Sequence, residues 1–175
     1  MQRLVKILAF GLVSGISISQ AATLTSVYTD LTDKACKTLE SDSSGSGWYK
    51  GQCQGINGYK LILTEADIRQ SIDVITPKGK SFPLDLINNV SLHFSTVGKK
   101  AEWRIAANKQ PVALILRYNA NEDATDPAKV TSYLVVSKVT DKLVCITDIV
   151  KPQPKANEIA RLLADQAPAK VCKLK

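Results

Sequence analysis

Two apolar segments decide the fold of this chain: PVALILRYN at residues 111–119 and TSYLVVSKV at residues 131–139. Both are short, rich in Val, Ile, Leu and Tyr, and bounded by turn residues, which is typical of β-strands. Both alternating faces of the first segment are apolar as far as Arg117, so we expect that strand to be covered on both sides. The second segment becomes polar on one face towards its end. Together they are predicted to form neighbouring central strands of a sheet.

Further strands are predicted around this pair, because short apolar runs recur there between turn residues. These strands comprise residues 59–63, 68–75, 101–107 and 143–149, with turns at 64–67, 76–79, 98–100, 108–110 and 141–142. In the second of them Ile68, Ile72 and Val74 are expected on one face. Strands joined in sequence by short polar turns usually pair antiparallel.

The apolar period changes to that of a helix at residues 156–166. Ile159, Leu162 and Leu163 fall on one face, which we expect to dock on the sheet. Glu158 and Arg161 are expected to be exposed. Residues 81–94 are compatible with either a short helix or a loop. The predicted fold is α+β: a mainly antiparallel sheet, curled into a sandwich or partial barrel, with a C-terminal helix packed on it.

The first 21 residues have the pattern of a secretory signal peptide. Arg3 and Lys6 precede an uncharged, mostly apolar run at residues 7–18, and Ser19 and Ala21 are small residues at the positions that signal peptidase reads. The run is shorter than the roughly 20 residues of a membrane-spanning helix. We therefore expect export, cleavage after Ala21 and no membrane span; an amphipathic or buried N-terminal helix is the alternative.

Cleavage would leave residues 22–175, since removing 21 of the 175 residues leaves 154, the usual size of a single domain. The formal net charge would fall from +7 to +5 with the loss of Arg3 and Lys6. The lysines are scattered and lack interleaved aromatic residues, which indicates a solvated surface and not a nucleic-acid-binding one.

The four cysteines predict disulfide bonds, because an even number of cysteines in an exported chain is typical of them, with three possible pairings. The first two flank a Ser/Gly-rich loop and the last two flank the predicted helix. We therefore expect the pairs Cys36–Cys53 and Cys145–Cys172. A metal site or a redox pair is disfavoured, because the sequence has no CxxC motif and a single histidine.

Few residues suggest catalysis or metal binding. His93 is the only histidine, Leu92 and Phe94 flank it, and no serine lies in a GxSxG motif, so we expect no catalytic role for it. The loop at residues 118–130 superficially resembles a calcium loop, but Ala124 stands where such a loop needs Gly. An acidic solvated loop is the favoured interpretation.

Paired carboxylates for hydrolysis could still come from distant strands. The candidates are Glu65, Asp67, Asp85 and Glu102, each of which is more typical of a turn or a surface. The sequence contains no Gly-rich phosphate loop, and we expect neither a cofactor nor a metal.

Aromatic residues beside loops are the candidates for a binding site. Trp48 and Tyr49, next to Lys50, lie at the rim of the loop between Cys36 and Cys53. Tyr118 lies at the start of the acidic loop. Packing of these aromatic side chains on the sheet is the favoured interpretation, because they adjoin strands.

Several segments of the chain resemble a family of small exported bacterial proteins of unassigned activity. They are YTDL at 28–31, GYKL at 58–61, KAEWR at 100–104, residues 111–119, residues 131–138 and VCITD at 144–148. The resemblance spans most of the chain after residue 21. It implies a bacterial, periplasmic setting and carries no activity, ligand or catalytic residue.

A non-catalytic module that acts in the periplasm or outside the cell is the favoured function. It would bind a protein or a cell-envelope polymer, or inhibit an enzyme, since export, small size and a shortage of catalytic motifs are shared by many such modules. The alternatives are a small cell-envelope hydrolase with paired carboxylates and a structural or host-interaction secreted protein.

Leu114→Asp or Val135→Asp is expected to prevent folding. Each change forfeits the roughly 1.5–3 kcal/mol gained by burying the aliphatic side chain, and it places a charge in an apolar core. Circular dichroism of the purified variants checks this. A variant with the melting temperature of the parent would show that these two side chains do not lie in the core.

Overall fold

The computed structural model describes residues 24–42, 47–123, 125–126 and 128–173, so the predicted signal peptide lies outside the described residues. The strands are β1 (Thr25–Asp30), β2 (Cys36–Ser41), β3 (Tyr49–Gln54), β4 (Lys60–Ala66), β5 (Arg69–Ile75), β6 (Ser81–Pro83), β7 (Ser95–Ile105), β8 (Pro111–Ala120), β9 (Thr131–Val139) and β10 (Val144–Val150). The helices are α1 (Leu86–Asn89) and α2 (Ala156–Gln166), followed by a 3-10 helix (Ala167–Ala169). In the described ranges, no helix has the length and apolar character needed to cross a membrane.

The strands form one mainly antiparallel sheet that folds over on itself. One half has the order β6-β5-β4-β3-β2 and the other has the order β1-β7-β8-β9-β10. The halves are joined where Arg69 of β5 pairs with Ser95 of β7 in parallel. Inward side chains of both halves belong to one apolar cluster, so the halves pack face to face. The predicted α+β fold with its antiparallel sheet and C-terminal helix is confirmed.

The main core lies between the two halves of the sheet. Trp103 of β7 is fully buried, its ring lies 5.8 Å from that of Tyr59, and its indole N–H donates to the Thr29 hydroxyl at 2.9 Å. Leu114 and Val135 from the two predicted central strands are also fully buried. Aromatic side chains of this size contribute much of the buried apolar area of a small domain.

A second, smaller core lies on the outer face of β8 and β9, under α2. Ile115 and Leu134 of these strands pack with Ala160 and Ala164 of the helix. Strand β8 is therefore covered on both sides, as its sequence predicts. The alanines have short side chains, which let the helix approach the sheet closely.

The docking face of α2 differs from the predicted one. Ile159 and Leu163 pack against the smaller core, but Leu162 is 63% exposed, so its predicted contact with the sheet is wrong. The buried positions are Ala160 and Ala164, one turn apart, and the helix is rotated to place them against the strands. The large side chains alone predict a different face, because the close packing that alanines allow does not show in the apolar period.

Two ion pairs hold α2 to β7. The guanidinium of Arg161 binds Glu102 at 2.6 Å, and the guanidinium of Arg104 binds Asp165 through both carboxylate oxygens, at 2.6 and 2.9 Å. Alternate residues of a strand lie about 6.8 Å apart and residues one helical turn apart lie about 6 Å apart, so the two pairs fit in register. Arg161 was predicted to be exposed; in the structure its side chain is 40% exposed and is partly covered by this contact.

Both predicted disulfides are present. Cys36 and Cys53 face each other across β2 and β3 with their Cα atoms 4.1 Å apart. Cys145 of β10 is joined to Cys172 beyond the 3-10 helix, with Cα atoms 5.6 Å apart. The loops closed span 17 and 27 residues, for which the chain-entropy model gives about 3 kcal/mol of stabilisation each.

Three other local predictions are corrected. Residues 98–100 do not form a turn; they lie within β7, whose pairing with β8 shifts between Val97 and Ala101. Ile68 lies in the β4–β5 turn and not on an extended strand. Residues 24–41, for which no strand was predicted, carry β1 and β2. Strand β1 pairs with the far part of β7, a contact that local sequence does not reveal.

Glu102→Gln is expected to lower the free energy of unfolding by about 1–2 kcal/mol at pH 7, because it removes a charge-assisted pair. Burial acts to raise the pKa of Glu102, but hydrogen bonds from Arg161 and Ser26 outweigh it and the pKa lies below its ordinary 4.5. A lowered pKa contributes stability above pH 4.5 that is lost as the pH falls through the folded-state value.

Urea unfolding from pH 7 to pH 3 checks the prediction. The stability difference between the parent and Glu102→Gln should shrink on acidification. Glu40→Gln is the matched control, since the side chain of Glu40 is 54% exposed and pairs with Lys50 at 3.3 Å; it should change little. A difference that stays constant down to pH 3 would contradict the role of the Glu102 carboxylate.

Candidate functional site

Three segments meet at one end of the folded sheet: the β4–β5 turn, the segment before β7 and the start of the β8–β9 loop. The amide of Ser95 donates to the carbonyl of Ile68 at 3.0 Å, and the amide of Asn121 donates to the carbonyl of Phe94 at 2.9 Å. The guanidinium of Arg69 lies 3.4 Å from the carbonyl of Leu92. We call the surface formed by Ile68, Leu92 and Phe94 the tip patch.

The tip patch exposes three large apolar side chains to solvent. Ile68 is 61% exposed, Leu92 63% and Phe94 54%. Single exposed apolar residues are common on protein surfaces, but neighbouring ones rimmed by polar groups mark interaction sites. The backbone hydrogen bonds that link the segments place these three residues at the same end of the sheet.

A cavity of about 430 Å³ opens beside the tip patch. Its lining combines apolar side chains with an ion pair and amides: Asp67, Arg69, Leu92, His93, Phe94, Asn121 and Asp123. Cavities of this size lie within the usual range for binding sites. The cavity therefore has the size of a ligand-binding site and a lining that is both apolar and polar.

The β4–β5 turn that carries Ile68 is conformationally strained. Asp67 has φ 51° and Ile68 has φ 56°, between the paired residues Ala66 and Arg69. Positive φ at both central residues is the signature of a type I′ turn, which favours Asn and Gly. A β-branched residue there is an outlier that costs of order 1–3 kcal/mol.

A part-buried polar contact holds the start of the β8–β9 loop near the tip patch. The hydroxyl of Tyr133 donates to the carboxylate of Glu122 at 2.7–2.8 Å. Burial and this carboxylate raise the pKa of Tyr133 to about 12. Burial also acts to raise the pKa of Glu122, but hydrogen bonds from Tyr133, Ser91 and Thr131 outweigh it and the pKa is lowered. The carboxylate is therefore ionised at neutral pH, and it fixes the loop that follows β8.

His93 lies on the exposed rim of the cavity, between the two apolar side chains of the tip patch. Its backbone amide contacts the Ser91 hydroxyl at 3.4 Å. This placement does not test the prediction that His93 has no catalytic role. It makes His93 part of the rim of the cavity.

The predicted aromatic binding residues do not form one surface. Trp48 is 39% exposed, whereas Tyr49 packs partly buried against the main core. Lys50 lies on the other face of β3 and pairs with Glu40 at 3.3 Å. Tyr118 is fully buried and its hydroxyl lies 2.5 Å from that of Ser95, so it packs in the core and is not an exposed binding residue. The apolar face of β8 continues through Tyr118, which therefore points into the core.

The carboxylates considered for hydrolysis each have a different partner. Glu65 accepts from the Gln70 amide at 2.5 Å, Asp67 pairs with Arg69, Asp85 accepts from the Asn88 amide at 2.8 Å and Glu102 binds Arg161. Glu102 lies on the outer face of β7 below α2, away from Glu65 at the end of β4 and Asp67 in the β4–β5 turn. These contacts do not bring the candidates together as a catalytic pair.

The acidic loop also has internal partners. Asp123 accepts from the Thr125 amide at 3.0 Å and pairs with Lys129 at 3.1 Å. Asp126 accepts from the Ala128 amide at 3.0 Å. Among the described residues, no group of three or more His, Cys, Asp or Glu side chains is arranged to hold a metal ion.

Comparisons with protein-family models, with curated proteins and with solved structures find no match to this chain. The resemblance to small exported bacterial proteins therefore stays a prediction.

The tip patch was missed by sequence reasoning. Ile68 was assigned to a strand because it continues the spacing of Ile72 and Val74, although Asp67 and Ile68 also stand where a two-residue turn would join two strands. Leu92 and Phe94 were considered only as neighbours of His93. Their alternation around a polar residue is a detectable signal, but only the tertiary structure places the pair beside the turn.

Ile68→Gly is expected to raise the free energy of unfolding by about 1 kcal/mol, because glycine adopts positive φ without strain. Thermal or urea unfolding measures the change. Val130→Gly is the control: Val130 is also β-branched and 52% exposed, but its φ is not positive, so it should lose stability. Destabilisation by Ile68→Gly would show that the turn is not strained.

Proposed function

We propose that this chain is an exported binding module that recognises a protein partner through the tip patch. The observation that carries the proposal is the grouping of Ile68, Leu92 and Phe94, each more than half exposed, beside a cavity of about 430 Å³. Apolar and aromatic groups clustered near a cavity supply most of the binding energy of protein interfaces.

The chemistry of the site indicates what the partner presents. Asp67 pairs with Arg69 and Asp123 pairs with Lys129, so the charges at the rim are largely compensated. An apolar core with a polar rim is the usual anatomy of a protein interface. The partner is expected to insert an aliphatic or aromatic side chain into the cavity while its polar groups contact the rim.

Export is part of the proposal. Two disulfides are characteristic of proteins from oxidising compartments, because cytosolic thiols are kept reduced. The signal-like residues 1–21 agree with such a location. The periplasm or the exterior of a bacterial cell is the proposed setting.

A cell-envelope hydrolase is less well supported. Glu65, Asp67 and Glu102 each bind a neighbouring side chain, and Glu102 lies in the ion pair that holds α2. A carboxylate used as a general acid needs a raised pKa, whereas the pKa of Glu102 is lowered.

The test is a comparison of matched leucine variants in partner capture from envelope extracts. Leu92 and Leu162 are both 63% exposed, but only Leu92 belongs to the tip patch. A protein retained by the parent and by Leu162→Ser, and lost with Leu92→Ser and Phe94→Ser, is expected. Its purified form should bind the variants at least about tenfold more weakly, as loss of an interface anchor predicts.

Three outcomes would count against the proposal. Equal capture by Phe94→Ser and the parent would remove the tip patch from recognition. Retention of peptidoglycan in place of a protein would change the partner to an envelope polymer. Cleavage of peptidoglycan or peptides by the purified chain, lost in Glu102→Gln or Asp67→Asn, would replace it with the hydrolase.

A further inference from the structure

The four arginines of the described residues differ in whether a carboxylate lies beside them. Three of them pair with a carboxylate: Arg69 with Asp67, Arg104 with Asp165 and Arg161 with Glu102. Arg117, on the outer face of β8, pairs with none of the carboxylates in the described part of the chain. A partly buried arginine usually has a counter-charge, because its desolvation is costly.

The partners of Arg117 are neutral. One terminal nitrogen donates to the Ser132 hydroxyl at 2.8 Å and the other to the Asn157 side-chain oxygen at 3.1 Å. Ser132 in turn donates to Asn119 at 2.8 Å. A guanidinium carries five N–H donors, so these contacts fix its plane and leave donors for a ligand.

The side chain of Arg117 lines two cavities beside α2. A cavity of about 210 Å³ between α2 and the sheet is lined by Arg117 together with Lys100, Arg161 and Asn157. A second cavity, of about 360 Å³, is lined by Arg117, Ser132 and Lys155. We call these two spaces the Arg117 cleft. It lies on the outer face of the sheet and shares no lining residue with the cavity of the tip patch.

Gly98 in the bulged part of β7 makes room for the side chain of Arg117. A Cβ atom built at Gly98 would lie 2.7 Å from the Cβ of Arg117, which is too close for two carbon atoms. Any larger residue would displace the arginine stem or the strand. The bulge and the glycine therefore set the position of the guanidinium as well as the course of β7.

The charge balance in the cleft is positive. Glu102 lines it but already binds Arg161, and Glu158 lies 3.9 Å from Lys155. Asp30 interacts with Lys100 from the neighbouring strand. Lys100, Lys155 and Arg161 each have a carboxylate nearby, so the charge that remains is that of Arg117.

We propose that the Arg117 cleft binds an oxyanion, either the carboxylate or the phosphate group of a ligand. A planar guanidinium with free donors matches such groups in a bidentate way, and charge-assisted hydrogen bonds of this kind are the strong ones. The neutral side chains of Ser132 and Asn157 orient the guanidinium without neutralising it. This proposal does not depend on the function proposed for the tip patch.

The test is a titration of the 15N-labelled, disulfide-bonded chain, with the arginine side-chain Nε–Hε resonances observed by NMR. Inorganic phosphate is added in one series and sodium acetate in the other, at constant ionic strength. A saturable shift of the Arg117 resonance is expected at up to about 50 mM of one probe, the range for a single-group ligand of millimolar affinity. Binding of phosphate or of acetate identifies which oxyanion the cleft prefers.

Variants give the test its specificity. Arg117→Gln should weaken binding of the probe at least about tenfold, and Arg117→Lys should weaken it less, because the charge is kept but the fork is lost. Gly98→Ala should weaken it by displacing the arginine. Lys142→Gln removes a charge from an exposed turn residue and should leave the affinity unchanged.

Backbone amide spectra of each variant show whether the fold is kept. If Arg117→Gln does not fold, the loss of probe affinity in Arg117→Lys and Gly98→Ala tests the proposal instead. The absence of a saturable shift with both probes would overturn the proposal. An equal loss of affinity in Lys142→Gln and Arg117→Gln would also overturn it, since it would show a general charge effect.

Discussion

The fold depends on the constraint that β7 must belong to both halves of the sheet. Its first residue pairs with β5, its outer part pairs with β1, and β8 runs along its other side. The inward side chain of Trp103 fills the space between the halves, while Glu102 and Arg104 face α2. The register shift within β7 lets one strand pair with β5, β1 and β8, because a bulge bends a strand and increases its twist.

Both candidate sites lie near places where β7 departs from regular pairing. The tip patch is built around the segment that enters β7, and the backbone bonds of Ser95 and Phe94 link that segment to the neighbouring turns. The Arg117 cleft adjoins the bulge, where Gly98 lies against the side chain of Arg117. A rigid core thus positions irregular segments whose side chains are free to contact ligands, which is the common division between scaffold and site.

The sequence predicted those parts of the fold that depend on local period. Short apolar runs between turn residues predicted β8 and β9, the 3.6-residue period predicted α2, and the pairing of Cys36 with Cys53 followed from the segments between cysteines. Interactions between distant residues explain the errors. Leu162 is exposed because alanines allow closer packing of α2, and Tyr118 is buried because its strand continues into the core. The tip patch joins three segments, so no single stretch of sequence could reveal it.

The disulfide between Cys145 and Cys172 would keep α2 attached if a protease cleaved the chain before the helix. The connection from β10 to α2 at residues 151–155 is exposed and contains Pro152 and Pro154. Hydrolysis of a peptide bond there would separate α2 from the sheet in a linear chain. In the oxidised protein, the second covalent attachment at Cys145 retains the helix. Its ion pairs with β7 could then re-form without diffusion of a lost fragment, so a nicked molecule would keep its outer layer.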